Sequence, residues 1–204
     1  MYKAFKRIFD FSSALFLLIL IFPIFALIMI LVKCKIGSPI FFEQERSGMK
    51  MRPFYIKKFR TMTEQRDDNG NYLPDSIRLT KFGKKLRSTS LDELPELLAI
   101  IKGDMSVIGP RPLPTHYNDL YTEREKKIFL VRGGLIPPEV LYNNIQPTWD
   151  EQLEYEAKYA ETLSFSNDIK ILFAAFKGLF KRYSNNYGEY IRPDLDKERN
   201  KNNK

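Results

Sequence analysis

An apolar segment near the N-terminus constrains the fold of this chain more than any other feature. Residues 11–32 contain no charged side chain, and this run exceeds the roughly 18 residues that indicate a helix embedded in lipid. Basic residues lie on both sides of it, whereas a helix that spans a membrane usually carries its positive excess on the cytoplasmic side alone. They are Lys3, Lys6 and Arg7 before the segment, and Lys33, Lys35 and Arg46 after it. This symmetry indicates that both ends of the segment stay on one side of the membrane.

Pro23 lies near the middle of the segment and suggests where the chain turns back to the side of the membrane from which it entered. A bend there leaves two arms of about eleven residues, which at about 1.5 Å per residue reach roughly half of the hydrocarbon thickness. We therefore predict a re-entrant membrane helical hairpin over residues 1–35. A straight span with a kinked proline is the main alternative. A cleaved signal peptide is disfavoured, because no small-residue cleavage site follows the segment.

Composition predicts one catalytic domain beyond the membrane segment. The 204 residues, 44% of them hydrophobic, can bury one moderate core. The formal charge of +8 favours anionic partners, namely nucleic acid, anionic lipid or phosphorylated substrates. The single cysteine, Cys34, excludes a disulfide framework and fits the reducing side of a membrane. We expect a cytoplasmic domain over residues 36–184 and a polar, disordered tail over residues 185–204.

Periodicity predicts an α+β fold, helix-rich with a small β-sheet. Two β-prone runs, residues 40–44 and 54–59, are joined through a Ser-Gly turn and form a strand pair. Lys58 and Arg60 are two apart in the second run, so an extended chain puts them on one face. That face either holds an anion or is a solvated edge, where lysines protect against mispairing. A short strand is predicted over 105–108, and helices are predicted over 80–87, from Thr148 to about Ala160, and near 167–182.

Two adjacent carboxylates, Asp92 and Glu93, begin a further helix that ends at Gly103. Its apolar positions are spaced i, i+3, i+4 and i+7 (Leu94, Leu97, Leu98 and Ile101). Ser90 with Glu93 fits a capping box, whereas Asp92 as the cap would place Pro95 among the first-turn positions without a required donor. The helix register stays open between these two readings. Both place the acids at a helix N-terminus, where acids also complement the helix dipole.

The two acids lie in sequence between two lone arginines, Arg87 and Arg111, an arrangement that suggests phosphate chemistry. Prolines on both sides of Arg111 fix the backbone there. A stiff loop lowers the entropy cost of holding a guanidinium group against a phosphate, to which arginine binds through two parallel hydrogen bonds. The structural alternative is an exposed arginine in an ordinary proline turn.

Taken together, these motifs resemble the small monotopic polyprenyl-phosphate phosphoglycosyl transferases of the bacterial sugar transferase family. The resemblance covers nearly the whole chain up to about Arg182. It rests on the basic-apolar N-terminus with its proline and on four motifs: Gln44-Glu-Arg46-Ser-Gly48, Lys58-Phe-Arg-Thr-Met62, Ser90-Leu-Asp-Glu-Leu-Pro95, and Lys102-Gly-Asp-Met-Ser-Val-Ile-Gly-Pro-Arg-Pro112.

The resemblance implies transfer of a sugar 1-phosphate from a nucleotide-activated sugar, typically a UDP-sugar, to undecaprenyl phosphate, which yields UMP. Asp92 would form a covalent phosphosugar intermediate and lie close to a magnesium ion, and Glu93 would act as the base. Lys58, Arg87 and Arg111 would hold phosphate groups near the membrane face. The resemblance also implies a bacterial inner membrane, contact with its phospholipid, and a role in initiating glycoconjugate synthesis.

One segment departs from the family pattern. After Val131-Arg132 the family usually continues with a Pro-Gly-Ile-Thr-Gly-type segment, whereas this chain has Gly133-Gly-Leu-Ile-Pro-Pro-Glu-Val140. We therefore expect an unusual sugar or nucleotide preference, with Arg132 as a candidate donor contact.

Other function classes fit the sequence less well. A non-catalytic membrane scaffold would use the basic surface for anionic lipid and the two acids as helix caps. A glycoside hydrolase needs two carboxylates that face each other at roughly 5 Å or more across a substrate, which adjacent residues do not provide. Nucleic-acid binding is disfavoured because the positive charge is interspersed with acids rather than gathered in a recognised module. The sequence gives no indication of an oligomeric state.

Overall fold

Helices and short strands alternate along the part of the chain that the computed structural model describes, which is residues 2–142, 147–182 and 193–202. The helices are α1 (Tyr2–Lys35), α2 (Asp75–Arg78), α3 (Lys81–Ser88), α4 (Glu96–Lys102), α5 (Trp149–Glu161), α6 (Phe165–Arg182) and α7 (Leu195–Asn202). The strands are β1 (Phe41–Ser47), β2 (Pro53–Phe59), β3 (Met105–Ile108) and β4 (Gly133–Ile136). The prediction of a helix-rich α+β fold with little sheet is confirmed.

The strands form two separate pairs. Strands β1 and β2 are antiparallel, with Phe41 opposite Phe59, as the sequence predicts. Strands β3 and β4 are parallel, with Met105 opposite Gly133. Strand β4 has no clear signal in the sequence, because it is short and half of it is glycine.

Helix α5 begins where the sequence predicts. Thr148 Oγ1 accepts a hydrogen bond from the backbone of Glu151, and the Glu151 side chain accepts one from the backbone of Thr148. This reciprocal capping box satisfies two backbone donors that the first turn leaves without partners.

Helix α1 runs without a break through Pro23 and is long and apolar enough to cross a membrane. Its buried residues occur on both sides of the proline: Lys6, Asp10, Ala14, Phe25, Ile28 and Val32. Both halves therefore pack against the rest of the chain. Large apolar side chains such as Phe16 and Phe22 are exposed on other faces. A return of the chain within one leaflet, as in a re-entrant hairpin, stays a prediction.

A buried polar network attaches the first half of α1. Lys6 Nζ lies 2.8 Å from Asp168 Oδ2 on α6 and 3.5 Å from Asp10 Oδ1. Asp10 in turn accepts hydrogen bonds from Ser106 Oγ at 2.6 Å and from the Val107 backbone at 3.1 Å, both on β3. Three separate elements thus share one set of charges and hydrogen bonds.

Apolar packing attaches the second half of α1. Phe25, Ile28 and Val32 are buried in one cluster with Phe59 at the end of β2 and Leu86 on α3. The Phe25 and Phe59 rings lie 5.0 Å apart. The same cluster joins α1 to the elements that precede the acidic turn.

The C-terminal residues correct one prediction. In place of the disordered tail expected over 185–204, residues 193–202 include helix α7, where Leu195 is fully buried and Arg199 pairs with Glu125. The Trp149 indole also donates to the Pro193 carbonyl at 2.9 Å. Polar composition predicts disorder, but one apolar anchor and one well-placed arginine suffice to dock the segment. Residues 185–192 lie outside the described residues.

Substitution Asp10→Ala should lower the free energy of unfolding by roughly 3 kcal/mol, because it leaves the buried Lys6 charge with fewer partners. The single tryptophan, Trp149, allows thermal unfolding to be followed by fluorescence in detergent. Ser12→Ala, on an exposed face of the same helix, is the matched control and should unfold like the wild type. Equal midpoints for the two variants would contradict the role of the network.

Candidate active site

The two acids lie on a 3-10 turn, Leu91–Glu93, directly before α4. The predicted capping box is not formed: Ser90 adopts a left-handed conformation with φ of 55° and makes no capping hydrogen bond to the turn. Pro95 occupies the position that precedes the first residue of α4, so neither acid caps that helix. The acids therefore do not cap α4, and their predicted place just before a helix is confirmed.

Lys58 on β2 is in direct contact with this turn. Its Nζ lies 2.7 Å from Glu93 Oε1 and 3.2 Å from Glu96 Oε1. The structure therefore joins Lys58 to the acids rather than leaving it on a solvated edge. Arg60 does not share this place, because its guanidinium donates to the carbonyl oxygens of Pro39 and Met62.

Arg87 lies on the opposite flank, on α3. Its Nε donates to Thr61 Oγ1 at 3.0 Å, and its charge acts on Asp92. Helix α3 packs closely against Thr61, since a Cβ atom on Gly83 would lie 1.9 Å from the Thr61 carbonyl oxygen. This contact fixes the helix that carries Arg87.

Arg111 is exposed on a loop that rests on β4. The Gly109 backbone donates to the Ile136 carbonyl at 3.2 Å, and the Gly134 backbone donates to the Pro110 carbonyl at 2.8 Å. A Cβ atom on Gly134 would lie 2.0 Å from the Gly109 nitrogen, so only glycine permits this approach. The segment that departs from the family pattern thus supports the loop of Arg111.

A buried carboxylate holds the same loop from the other side. Glu156 Oε1 on α5 accepts hydrogen bonds from the Arg111 backbone at 3.1 Å and from Gln152 Nε2 at 2.9 Å. Glu156 is 0% exposed, and burial together with the charge of Glu139 raises the pKa of its carboxyl group. A neutral carboxylic acid is therefore favoured at this position.

Arg132 binds the end of α4 that is opposite to the acidic turn, and its role as a donor contact stays a prediction. Its Nε donates to the Gly103 carbonyl at 2.7 Å, at the end of α4 opposite to the acids. Arg7 of α1 binds the same end through the Ile100 and Ile101 carbonyls at 2.6 and 2.8 Å. Both arginines satisfy carbonyl groups that a helix C-terminus leaves without partners.

Among the described residues, no group of three or more His, Cys, Asp or Glu side chains forms a preassembled metal site. The turn offers the neighbouring carboxylates of Asp92 and Glu93. Magnesium needs few protein ligands when substrate phosphates and waters complete its octahedron. The donor set therefore fits a magnesium ion that arrives with a phosphorylated substrate.

A family model described as Bacterial sugar transferase matches residues 1–182 of this chain. The chain belongs to the bacterial sugar transferase family. The uncharacterized sugar transferase EpsL of Bacillus subtilis is 44% identical over 167 residues, which cover 82% of this chain and 83% of the relative.

Two further relatives carry the name UDP-glucose:undecaprenyl-phosphate glucose-1-phosphate transferase. The one from Klebsiella pneumoniae is 35% identical over 189 residues, which cover 87% of this chain and 41% of that protein. The one from Caulobacter vibrioides is 39% identical over 185 residues, which cover 82% of this chain and 66% of that protein. This bacterial sugar transferase family member thus matches less than half of the Klebsiella protein.

In this family member, the Asp92 carboxyl group lies in an unfavourable environment for a charge. Asp92 is 9% exposed. Burial and the adjacent charge of Glu93 raise its pKa, whereas Lys58 and Arg87 act in the opposite direction. A pKa that the surroundings shift in this way is typical of catalytic residues.

The sequence pattern does not predict three buried polar residues of the site: Glu96, Gln152 and Glu156. Glu96 resembles an ordinary acid in the first turn of a helix, and its salt bridge to Lys58 becomes visible only in the fold. Gln152 and Glu156 are four apart on α5, a spacing that could have suggested one shared face.

Asp92→Asn should raise the stability of the protein by about 1 kcal/mol at neutral pH, or roughly 2–4 °C in the unfolding midpoint. The folded-state pKa is raised above its ordinary value of 3.8, so the cost of ionisation is complete above the folded-state pKa and absent below the unfolded-state pKa. The gain should therefore shrink as pH falls towards 4. Asp119→Asn, at an exposed acid, should change the midpoint little. A gain independent of pH would contradict this account.

Proposed function

We propose that this protein transfers a sugar 1-phosphate from a UDP-sugar to undecaprenyl phosphate, giving a polyprenyl-diphosphate-linked sugar and UMP. The observation that carries the proposal is the acidic turn itself: Asp92 and Glu93 lie with Lys58 and Arg87 beside a helix that exposes a large apolar surface. The names of the Klebsiella and Caulobacter relatives support this reaction class. The product would initiate the synthesis of a lipid-linked glycan.

In the first step, an Asp92 carboxylate oxygen attacks the phosphorus that bears the sugar. A new bond forms between this phosphorus and the aspartate oxygen, the bond to the bridging diphosphate oxygen breaks, and UMP leaves with that oxygen. In the second step, an oxygen of undecaprenyl phosphate attacks the same phosphorus and the aspartate carboxylate is released. A raised pKa makes Asp92 a more basic and stronger nucleophile, while Lys58 and Arg87 keep the charged form accessible.

A substrate phosphate can break the salt bridge between Lys58 and Glu93. In the free protein, Lys58 Nζ lies between Glu93 and Glu96. A phosphate at Lys58 competes for this ammonium group and frees the Glu93 carboxylate to accept a proton from undecaprenyl phosphate. Arg87 and Arg111 offset the repulsion between the substrate phosphates and the acids.

Asp92 would hold the magnesium ion, with substrate phosphates and waters as its further ligands. When bound, magnesium would supply positive charge that offsets the repulsion between the carboxylate and the substrate phosphates.

The packing of α1 supports a monotopic attachment at the cytoplasmic side of the bacterial inner membrane. A straight span would carry the second half of the helix away from the domain, but Lys6 and Asp10 before Pro23 and Ile28 and Val32 after it are buried against the same domain. The exposed apolar faces of α1 would lie among phospholipid tails in one leaflet. This re-entrant arrangement would bring a polyprenyl phosphate to the acidic turn without removing its chain from lipid.

The reaction is tested with purified full-length protein, magnesium, undecaprenyl phosphate and a panel of UDP-sugars. The wild type should release UMP with at least one donor. Asp92→Asn should reduce release by at least about 10⁴-fold, because the nucleophile is lost. Glu93→Gln should retain the covalent phosphosugar adduct and lose turnover, since only the second step needs the base.

Asp119→Asn is the control and should retain wild-type turnover. A non-catalytic scaffold, the rival function, requires that no donor in the panel yields UMP. Undiminished UMP release by Asp92→Asn would overturn the role of Asp92 in particular.

A further inference from the structure

Arg46 is a partly buried arginine at the end of β1 whose side chain the proposed reaction does not use. Its Nη2 donates to Gln44 Oε1, while its Nε is enclosed and has no hydrogen-bond partner among the described residues. An enclosed guanidinium donor without an acceptor costs free energy in the ligand-free protein. Two arginines with structural roles differ from Arg46, since Arg7 and Arg60 each donate to two backbone carbonyls.

The register of the β1–β2 hairpin places Arg46 on the same face as Lys58. Phe42 is directly opposite Lys58, and Arg46 is directly opposite Phe54. Opposed residues of an antiparallel pair share a face, and residues four apart on one strand do as well. Arg46 and Lys58 therefore project from one face of the hairpin, the face that meets the acidic turn.

Hydrogen bonds join the end of β1 to the loop that follows Arg111. The Ser47 backbone donates to the Leu113 carbonyl at 2.9 Å, and Thr115 Oγ1 donates to Glu45 Oε1 at 2.7 Å. The residues on either side of Arg46 are thus bound to the segment that begins two residues after Arg111. These contacts hold the two arginines as neighbours across the site.

The surroundings of Arg46 on balance disfavour its positive charge. Burial and the charge of Arg111 lower the pKa of the Arg46 guanidinium. The nearby acid, Glu96, is already within 3.2 Å of Lys58. Two guanidinium groups that repel each other, one with a donor free for an acceptor, match the requirements of a phosphate group.

We propose that Arg46 and Arg111 together bind a phosphate group of a substrate, which makes Arg46 a further substrate-binding residue. This inference rests on the proposed function for the identity of the substrate. The ligand at this site is a phosphate group whose oxygens accept hydrogen bonds from both guanidinium groups. It belongs either to the diphosphate of the nucleotide sugar or to undecaprenyl phosphate.

The first test compares full-length wild type with Arg46→Gln in steady-state kinetics with each substrate varied in turn. Loss of a hydrogen-bonded charge contact should raise one KM by about 10- to 100-fold. A rise in the donor KM assigns the site to the nucleotide-sugar diphosphate, and a rise in the undecaprenyl phosphate KM assigns it to the acceptor. Arg52→Gln, at an exposed arginine of the same hairpin, is the control and should keep both KM values.

The second test does not need turnover. Inorganic pyrophosphate should raise the unfolding midpoint of the wild type and of Arg52→Gln, and this rise should be lost in Arg46→Gln. Arg46→Lys retains the charge but lacks the planar guanidinium group, so it should give intermediate KM values. This variant replaces Arg46→Gln in the comparison if the glutamine variant folds poorly. Wild-type KM values together with a wild-type response to pyrophosphate in Arg46→Gln would overturn the inference, as would a midpoint of the wild type that pyrophosphate leaves unchanged.

The two readouts separate this inference from the proposed function. A wild type that releases no UMP with any donor contradicts the reaction. A pyrophosphate response that depends on Arg46 would still support an anion site in that case. Conversely, an active wild type with an unaffected Arg46→Gln variant contradicts the inference alone.

Discussion

The buried charge of Lys6 fixes how this protein is built, because it ties a membrane-type helix to the interior of a polar domain. Transfer of an ammonium group out of water is costly and is offset only by close partners. Asp10 and Asp168 provide these partners, and hydrogen bonds from β3 to Asp10 extend the network. The network selects one face of α1 for the domain and thereby leaves the opposite apolar faces exposed.

The same helix positions the site through α4. Arg7 binds carbonyl groups at the C-terminal end of α4, while the acidic turn precedes its N-terminal end. The short helix α4 thus links α1 to Asp92 and Glu93. On the other side, β4 and the buried Glu156 support the loop of Arg111. The residues of the site are therefore positioned by three elements. Helix α1 holds α4, the β1–β2 hairpin carries Lys58, and α5 supports the loop of Arg111.

Local patterns in the sequence predict the parts of this arrangement that depend on neighbouring residues. The apolar run predicts α1, alternation predicts the β1–β2 hairpin, and the Thr148 capping box predicts the start of α5. Such local patterns do not predict contacts between residues that are far apart in the sequence. The salt bridge of Lys58 with Glu96, the support of Arg111 by Glu156 and the docking of Leu195 all join segments far apart in the chain. The hydrogen bond from Arg132 to the Gly103 carbonyl likewise joins two segments that are distant in the sequence.

Both halves of α1 pack against the same domain, and we propose that the helix therefore enters and leaves the membrane on one side. Cys34, the single cysteine, is exposed at one end of α1, and Lys3→Cys in a Cys34→Ser background marks the other end. A membrane-impermeant maleimide should label both proteins in inverted inner-membrane vesicles and neither in intact spheroplasts. Labelling of the Lys3→Cys protein from outside intact spheroplasts would contradict the account and establish a helix that spans the membrane.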